Sequence, residues 1–514
     1  MIPSRPILSS VTNEKAVRRI EQAFTQCLMQ HEGCPRSKVN LLPSRVIDVE
    51  AMCLRETEER EAGTYAALSY CWGGDQLVKT THANIRSKRR GIALEALPRT
   101  LQDAVQVCVQ LKIRYLWIDA LCIIQDDEND VAREISQMGL IYNRATLVIA
   151  ASRAKSVYDG FLADIGVHPQ EAIMLPARFS TACEGKIGIL EVPRESSGTE
   201  PLNQRGWAYQ EISLASRALI YTNGGIIWQC NAIFDRLAFD GIQMGSHPSE
   251  DLVVVTKECK AGTLQRVEWD QLVRIYALRS LTNLDDRLEA LAGIAAITAP
   301  LWDSKYYAGL WRHDMESQLG WRLDNGAFLH DRNWRGLQAP SWSWASVNGP
   351  VCNVVRFVRS ETPRGAKIIS CDVTPAHPEN SFGRVLSGRL TIEAFIVQAR
   401  YADPSWLADT CMDFDAAHAK EEELDEIWCL VLGCAPDNGM GTDGVPQWDG
   451  LLLSCLPDKT FKRVGHFRQD LDREFWIDDE VSFDEYYTEL EDEHSIGAEA
   501  IFPAEGSRRT VVIV

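Results

Sequence analysis

The stretch Tyr115-Leu-Trp-Ile-Asp-Ala-Leu-Cys-Ile-Ile-Gln125 decides how this chain is interpreted. It begins as a short apolar run and reaches an aspartate, which is typical of a buried strand that presents a polar side chain at its C-terminal end. In an open parallel sheet, ligand crevices form at that end. Asp119, Cys122 and Gln125 fall there, where polar groups withdrawn from water must find partners or bind a ligand. The stretch is therefore the best candidate for the functional centre.

The segments on either side alternate between strand and helix patterns. Strands are predicted at 64–69, 115–118 and 145–151, the second of them central, and helices follow Leu97-Pro-Arg-Thr100 and span 129–142. Thr100 is the expected N-cap of the first helix. Such β-α-β-α-β alternation predicts an α/β fold with a parallel sheet. On the second helix, Glu134 lies about 60° from the centre of the apolar stripe, so it is expected to be half-buried.

Composition excludes several classes of protein. The chain has 514 residues and a formal charge of −19, which argues against binding nucleic acid, because phosphate contacts need clustered Lys and Arg. No apolar run reaches the roughly 20 residues of a membrane helix. The N-terminal residues lack the apolar core of a signal peptide, so a cytoplasmic protein whose mature chain begins near Met1 is expected.

The cysteines and histidines give no metal-binding pattern. There are 15 cysteines without a CxxC pair and 10 dispersed histidines without HxxxH spacing, so no metal site and no required cofactor are predicted. An odd number of cysteines without a secretion signal favours reduced thiols, most of them buried. A metal site whose ligands lie far apart in sequence and are brought together only by the fold is left open.

Two further segments supply candidate site residues. Tyr70 and Trp72 precede Gly73-Gly74, which lets the backbone turn sharply or approach a ligand closely. Arg205-Gly-Trp-Ala-Tyr-Gln-Glu211 begins a short helix, whose Arg205 and Glu211 form either a structural ion pair or a cation and a base that line a cleft. Cys122 is a candidate nucleophile, although inert packing is favoured because no histidine lies near it in sequence.

Five blocks in order resemble one known family. They are Tyr65–Gly73 (Y-x-A-L-S-Y-x-W-G), Leu97–Thr100 with Asp103-Ala104 (LPxT…DA), Tyr115–Gln125 (W-I-D-x-x-C-I-x-Q), Glu134–Ala145 (E-x-x-x-M-x-x-I-Y-x-x-A) and Arg205–Glu211 (R-G-W-x-x-Q-E). Together they resemble the fungal heterokaryon incompatibility (HET) domain over roughly residues 60 to 215. The resemblance implies a fungal intracellular protein linked to non-self recognition and cell death.

The resemblance also implies a chemistry. HET domains are regarded as distant relatives of Toll/interleukin-1 receptor (TIR) domains, some of which cleave NAD with a glutamate on the helix after a central strand. Glu134 occupies that helix here, and it would stabilise positive charge on the ribose as nicotinamide leaves. The family often has Trp three residues before this Glu, where this chain has Val131. No nucleotide-binding oligomerisation module or repeat array follows, which favours a stand-alone enzyme, for example in secondary metabolism.

Strand and helix patterns, together with this resemblance, divide the chain into four regions. The prediction is an N-terminal helical extension (1–60), a parallel-sheet, TIR-like HET domain (61–235), a helical region that completes its core (236–345) and a mainly β C-terminal region (346–514). In the third region, Tyr306–Trp311 is expected to continue a helix towards Trp321, and Trp342 and Trp344 have strand spacing. An acidic insert at 472–493 is either an ordered flap or a solvated loop.

Three functions follow, and none of them involves nucleic acid or a membrane. A small-molecule ligand or substrate is the expected partner, and a homo-oligomer is left open. The first is a cell-death effector with a TIR-like nucleotide cleft, either catalytic with NAD as substrate or merely binding. The second is a biosynthetic cyclase or hydrolase that uses paired carboxylates for acid-base catalysis. The third is a non-catalytic interaction module, although an enzyme is favoured. Catalytic candidates are Asp119, Glu134, Cys122 and Glu211, and substrate-binding candidates are Tyr70, Trp72, Gly73, Gln125, Arg205, Trp207 and Gln210.

Overall fold

The structure is a computed structural model, and it describes thirteen segments of the chain. These are residues 11–36, 39–163, 173–180, 183–189, 200–232, 234–236, 266–323, 339–353, 365–398, 410–414, 427–435, 447–470 and 507–514. The acidic insert at 472–493 lies outside them. Within them, no helix is long and apolar enough to cross a membrane.

The chain divides into two compact units. The first comprises Met1–Thr263, Arg279–Leu281 and Ala290–Ile294, and the second comprises Leu264–Leu278, Thr282–Glu289 and Ala295–Val514.

The first unit contains six complete α-helices and twelve strands among its described residues. The helices are α1 (Glu14–Gln30), α2 (Ile85–Arg90), α3 (Arg99–Leu111), α4 (Asp119–Cys122), α5 (Glu128–Arg144) and α6 (Gly206–Ser213). The strands are β1 (Asn40–Leu41), β2 (Arg45–Asp48), β3 (Cys53–Glu56), β4 (Ala62–Gly63), β5 (Tyr65–Ser69), β6 (Tyr115–Trp117), β7 (Leu147–Ala150), β8 (Ile173–Ser180), β9 (Cys183–Ile189), β10 (Arg217–Thr222), β11 (Gly225–Cys230) and β12 (Phe234–Arg236).

An eight-stranded sheet is the frame of this unit, in the order β12-β11-β10-β7-β5-β6-β2-β3. The four middle strands, β10, β7, β5 and β6, pair in parallel. The β-α-β-α-β pattern predicts a parallel arrangement for β5, β6 and β7, and β10 extends it. Both sides of the sheet end in antiparallel strands, so the sheet is mixed rather than parallel throughout. The strand at Tyr115 is not the central one: β5 lies between it and β7, and all five residues of β5 are buried.

The start of helix α3 differs from the prediction. The residue that precedes α3 is Pro98, and Thr100 lies inside its first turn, so the N-cap prediction was wrong. The Thr100 hydroxyl instead donates to the carbonyl of Ser156 at 3.1 Å and accepts from the amide of Gly160 at 3.1 Å. It therefore holds the loop that follows β7.

The second unit is helical at first and then mainly β. Its helices are α7 (Arg266–Ala277), the part of α8 (Glu289–Trp302) outside Ala290–Ile294, and α9 (Met315–Gln318). Its strands are β13 (Tyr306–Tyr307), β14 (Leu310–Trp311), β15 (Trp321–Leu323), β16 (Val351–Asn353), β17 (Lys367–Pro375), β18 (Val385–Gln398), β19 (Thr410–Phe414), β20 (Ile427–Ala435), β21 (Gln447–Cys455), β22 (Phe461–Asp470) and β23 (Ser507–Ile513). Strands β17 to β23 form a seven-stranded sheet, which agrees with the mainly β prediction.

Two local predictions in this unit were wrong. Tyr306–Trp311 is a small hairpin of β13 and β14 with left-handed backbone at Ala308 and Gly309, and not a helix. Trp342 is buried in a turn and Trp344 is buried at the start of the 3-10 helix that follows, so neither lies in a strand. Tryptophans can be buried in a strand or in a turn, so the spacing of Trp342 and Trp344 could not distinguish these two structures.

Candidate functional site

The candidate site lies where β5 and β6 end. Tyr70 and Trp72 follow β5, and Asp119 opens α4 just after β6. Because β5 and β6 are parallel neighbours, their C-terminal ends lie at the same edge of the sheet. Arg205, at the start of α6, reaches this edge and donates from Nη1 to the backbone carbonyl of Tyr70. The fold thus brings together four residues from three segments that lie far apart in sequence.

Asp119 is a half-buried carboxylate with several partners. Trp72 Nε1 donates to its Oδ2 at 2.9 Å, and the amide of Ala120 donates to its Oδ1 at 2.6 Å. Gln125 Nε2 donates to the Asp119 backbone carbonyl at 3.1 Å, which places Gln125 beside the same turn. Burial raises the pKa of Asp119, against the opposing effects of Arg205 and of the hydrogen bonds from Trp72 and Tyr70.

Glu211 is the most unusual carboxyl group of the site. It is 6 % exposed on α6, and the Ser69 hydroxyl donates to its Oε2. Burial raises the pKa of Glu211 from 4.5 to about 7, although Arg205 and the hydrogen bonds from Ser69 and Tyr142 favour the charged form. At neutral pH this group therefore exists in both protonation states.

Arg205 is the cation that this pair of carboxyl groups shares. Burial alone would lower its pKa, but the charges of Glu211 and Asp119 offset that effect and the pKa of Arg205 is raised. The Tyr70 hydroxyl accepts from Gln76 Nε2 at 2.9 Å. Burial, followed by the charge of Asp119, raises the pKa of Tyr70 well above its usual value. Arg205 therefore interacts with both carboxyl groups. It is neither one half of a simple surface ion pair nor an isolated cation.

Glu134 does not join this group of residues. It is 3 % exposed rather than half-buried, and it accepts from Ser44 Oγ at 2.5 Å. Arg45 on β2 contacts Glu134 at 3.5 Å and also pairs with Asp130, one turn earlier on α5. Asp130 and Glu134 lie on the buried side of α5 because the buried guanidinium of Arg45 pairs with both of them, which the helical wheel of α5 alone could not show.

Cys122 is fully buried, with its sulfur accepting from the amide of Ile118 at 3.5 Å. Burial raises the pKa of the thiol to about 12, so the thiolate needed for nucleophilic attack is scarce at neutral pH. Its backbone carbonyl accepts from Arg45 Nε at 2.5 Å. These observations favour packing over catalysis for Cys122.

A labelling experiment distinguishes the two roles of Cys122. When the native protein is treated with iodoacetamide near neutral pH and its peptides are analysed by mass spectrometry, Cys455 is expected to react and Cys122 to stay unmodified. Cys455 is exposed, whereas Cys122 is fully buried and protonated. Modification of Cys122 as fast as that of Cys455 would show a reactive thiolate.

The remaining candidates have structural contacts. Gly73 has φ +78°, and a Cβ there would lie 2.3 Å from Ser156 Cβ, so the close approach is to the loop after β7. Trp207 is half-buried against the core. Gln210 is buried, and its Oε1 accepts from the amide of Gly293 at 2.6 Å.

Sequence reasoning missed two members of the site and one supporting arginine. Ser69 and Tyr142 both contact Glu211, and both lie inside the recognised blocks. A polar hydroxyl in each of two otherwise apolar, buried segments was the signal that could have identified them. Arg45 lies on a strand outside every block. Only the fold reveals its contacts with α5.

One group of side chains could hold a metal ion. The ligand atoms of Cys27, His31, Cys34 and Cys230 lie within 4.8 Å of one another. The sequence predicted no such site, because Cys230 is far from the other three along the chain and no short motif links them.

Comparison with known proteins gave one match. Residues 65–211 match the model of the family described as Heterokaryon incompatibility protein (HET). No curated protein and no solved structure matches the chain. The matched segment runs from the first residue of β5 to Glu211, and it includes Asp119, Arg205 and the buried Glu134. The chain therefore carries a heterokaryon incompatibility (HET) domain over residues 65–211.

Proposed function

We propose that the HET domain binds a small organic molecule at the C-terminal ends of β5 and β6, and that Asp119 exchanges a proton with it. The pKa of about 7 at Glu211 carries this proposal. General acid-base catalysis is most effective when the catalytic pKa lies near the working pH. Structural carboxylates are usually ionised with a depressed pKa, so a buried carboxyl near neutrality favours a functional site.

The two carboxyl groups have different roles in this proposal. Asp119 is half-buried beside the half-buried Trp72 and Gln125, so it is the group that contacts the ligand. Glu211 lies deeper and interacts electrostatically with Asp119, so it is a positioning residue that shares the proton. Arg205 stabilises whichever of the two is ionised and offers a positive charge to an anionic ligand.

The contacts of Glu134 favour this site over NAD cleavage of the TIR type. That chemistry would require Glu134 to face the ribose, whereas Ser44 and Arg45 hold its carboxylate in the interior. We propose further that conversion of the small molecule at Asp119 is the step that links the domain to incompatibility and cell death. The biosynthetic alternative uses the same residues and differs in what the product does.

Metabolite profiling tests this proposal. Cells that express the wild-type chain are expected to gain or lose the same set of metabolites relative to cells that express Asp119→Asn or Glu211→Gln, because both variants remove a titrating group. Glu128→Gln is the matched control, since it removes an exposed carboxylate from the first turn of α5. Growth of the same cells shows whether the change arrests them.

Two other outcomes would favour a different function. Identical profiles for the wild type, Asp119→Asn and Glu211→Gln, with folded protein in each case, would favour a non-catalytic interaction module. NAD loss that persists in Asp119→Asn and disappears in a folded Glu134→Gln would overturn the site assignment in favour of the TIR-type mechanism.

A further inference from the structure

Three thiols and an imidazole converge at the end of the N-terminal helix. Cys27 lies in the last turn of α1, His31 directly follows the helix, Cys34 lies in the next loop and Cys230 is the last residue of β11. Phe24 on α1 packs edge-on against Trp228 on β11, with ring centroids 6.1 Å apart. Helix α1 and strand β11 are therefore in contact next to the four side chains. The three cysteines are buried and His31 is half-buried.

The spacing of these atoms suits a tetrahedral zinc ion. Zn–S bonds of about 2.3 Å and Zn–N bonds of about 2.0 Å place neighbouring ligand atoms roughly 3.5 to 3.8 Å apart. His31 Nδ1 lies 3.4 Å from Cys230 Sγ and 4.0 Å from Cys34 Sγ. The Nε2 atom of His31 has no hydrogen-bond partner among the described residues, so it can carry the ring proton and leave the Nδ1 lone pair for a metal.

Groups around the cluster would support the ligands. Arg217 Nε donates to Cys27 Sγ at 3.2 Å, and the amide of Ala232 donates to Cys34 Sγ. Asn231 Nδ2 donates to the carbonyl of Gly33 at 3.0 Å, which fixes the loop between His31 and Cys34. N–H groups directed at cysteine sulfurs are the usual outer partners of metal-bound thiolates, which they orient and stabilise.

Charge gives an independent argument. Arg217 is 1 % exposed, and within the described segments no carboxylate forms a salt bridge with it. An unpaired buried charge is costly. Three thiolates, a neutral imidazole and Zn²⁺ together carry one negative charge, which would balance that of Arg217. Four protein ligands leave no open position, which is typical of a structural zinc site and not of a catalytic one.

We propose that Cys27, His31, Cys34 and Cys230 bind a structural Zn²⁺ ion that fastens the N-terminal helix to β11. Three Zn–S bonds and one Zn–N bond form, three thiol protons pass to solvent, and no oxidation occurs. The site is separate from Asp119 and Glu211, and it replaces the expectation that the chain has no metal site. Oxidation of two of the three thiols to a disulfide is the competing outcome.

Metal analysis of the purified full-length chain tests this inference. The wild-type protein is expected to contain one zinc ion per chain, and both Cys34→Ser and Cys230→Ser are expected to lose it. Cys53→Ser is the matched control, because Cys53 is half-buried on β3 of the same unit and belongs to no such cluster. The control is expected to retain the zinc.

A second measurement uses only the wild-type protein, so it does not depend on whether the variants fold. Wild-type protein from which zinc has been removed by a chelator is loaded with Co²⁺, which should give the visible absorption bands of a tetrahedral cobalt–thiolate centre. Removal of zinc is also expected to lower the Tm. Purified chain without zinc that gives no such bands with Co²⁺, or a disulfide between any two of Cys27, Cys34 and Cys230, would overturn the proposal.

Discussion

Replacement of Arg45 by alanine is expected to lower the free energy of unfolding of the first unit by about 3 to 5 kcal/mol. Arg45 is 5 % exposed and pairs with Asp130 and Glu134, which are both 3 % exposed. Without its guanidinium, two carboxylates stay buried close to each other with little compensation. Chemical denaturation of the wild type and the variant, followed by a probe in the first unit, measures the loss.

Arg133→Ala is the matched control for this prediction. Arg133 contacts the same two carboxylates, but its side chain is 55 % exposed and screened by water. Its removal is expected to cost about 1 kcal/mol or less. Equal effects of the two substitutions would contradict the assignment of Arg45 as the buried counter-charge. Arg45→Met combined with Asp130→Asn and Glu134→Gln is expected to recover most of the lost stability, because it removes all three buried charges.

This cluster also determines how variants of Glu134 must be interpreted. Glu134→Ala leaves Ser44 without its acceptor and changes the balance of charge around Arg45. Loss of any activity in that variant therefore counts as catalytic only when its stability is shown to be unchanged.

Glu211→Gln is expected to change how stability depends on pH. Burial raises the pKa of Glu211 from 4.5 to about 7, so between these values the folded protein holds a proton that the unfolded chain has released. Stability from this group is fully present below about pH 4.5 and is lost as the pH rises through about 7. The loss is on the order of 3 kcal/mol, since each pKa unit corresponds to about 1.4 kcal/mol.

The amide side chain that this substitution introduces carries no charge at any pH and should abolish this component. Relative to the wild type, Glu211→Gln should therefore gain stability between about pH 4.5 and 7, with little further change at higher pH. Urea denaturation at a series of pH values gives the difference between the two proteins, in which contributions from other titrating groups largely cancel. A difference that is independent of pH would show that the pKa of Glu211 is not raised.

Local patterns predicted the frame of the HET domain well. Strands β5, β6 and β7 and helices α5 and α6 lie where periodicity and turn residues indicate. These elements have one dominant buried face or are buried throughout, so their sequences report their environment directly. The antiparallel edges of the sheet were not predicted, because pairing partners far apart in sequence leave no local mark.

The errors share a physical cause. The burial of Glu134 depends on Arg45, which lies 89 residues earlier. The four side chains proposed to bind zinc, which no sequence motif links, include Cys230, 199 residues after His31. The hairpin at Tyr306–Trp311 contains aromatic residues that suit a helix or a strand, and left-handed backbone at Ala308 and Gly309 decides between them. In each case a tertiary contact or a backbone turn outweighed the local pattern.

The candidate site was predicted in part. The segments that carry Asp119, Arg205 and Glu211 were identified from sequence, whereas their proximity and the raised pKa of Glu211 come from the fold. The relation to TIR domains and the use of NAD stay predictions.

The protonation state of Glu211 is the most direct test of the central claim that the HET domain holds a carboxyl group ready for proton exchange. Infrared difference spectra of the wild type and Glu211→Gln, recorded across the neutral pH range, report the carbonyl band of a protonated carboxyl group. This band is expected to be present in the wild type, absent in the variant and lost with a midpoint near pH 7. A carboxylate that is already ionised well below neutrality would contradict it.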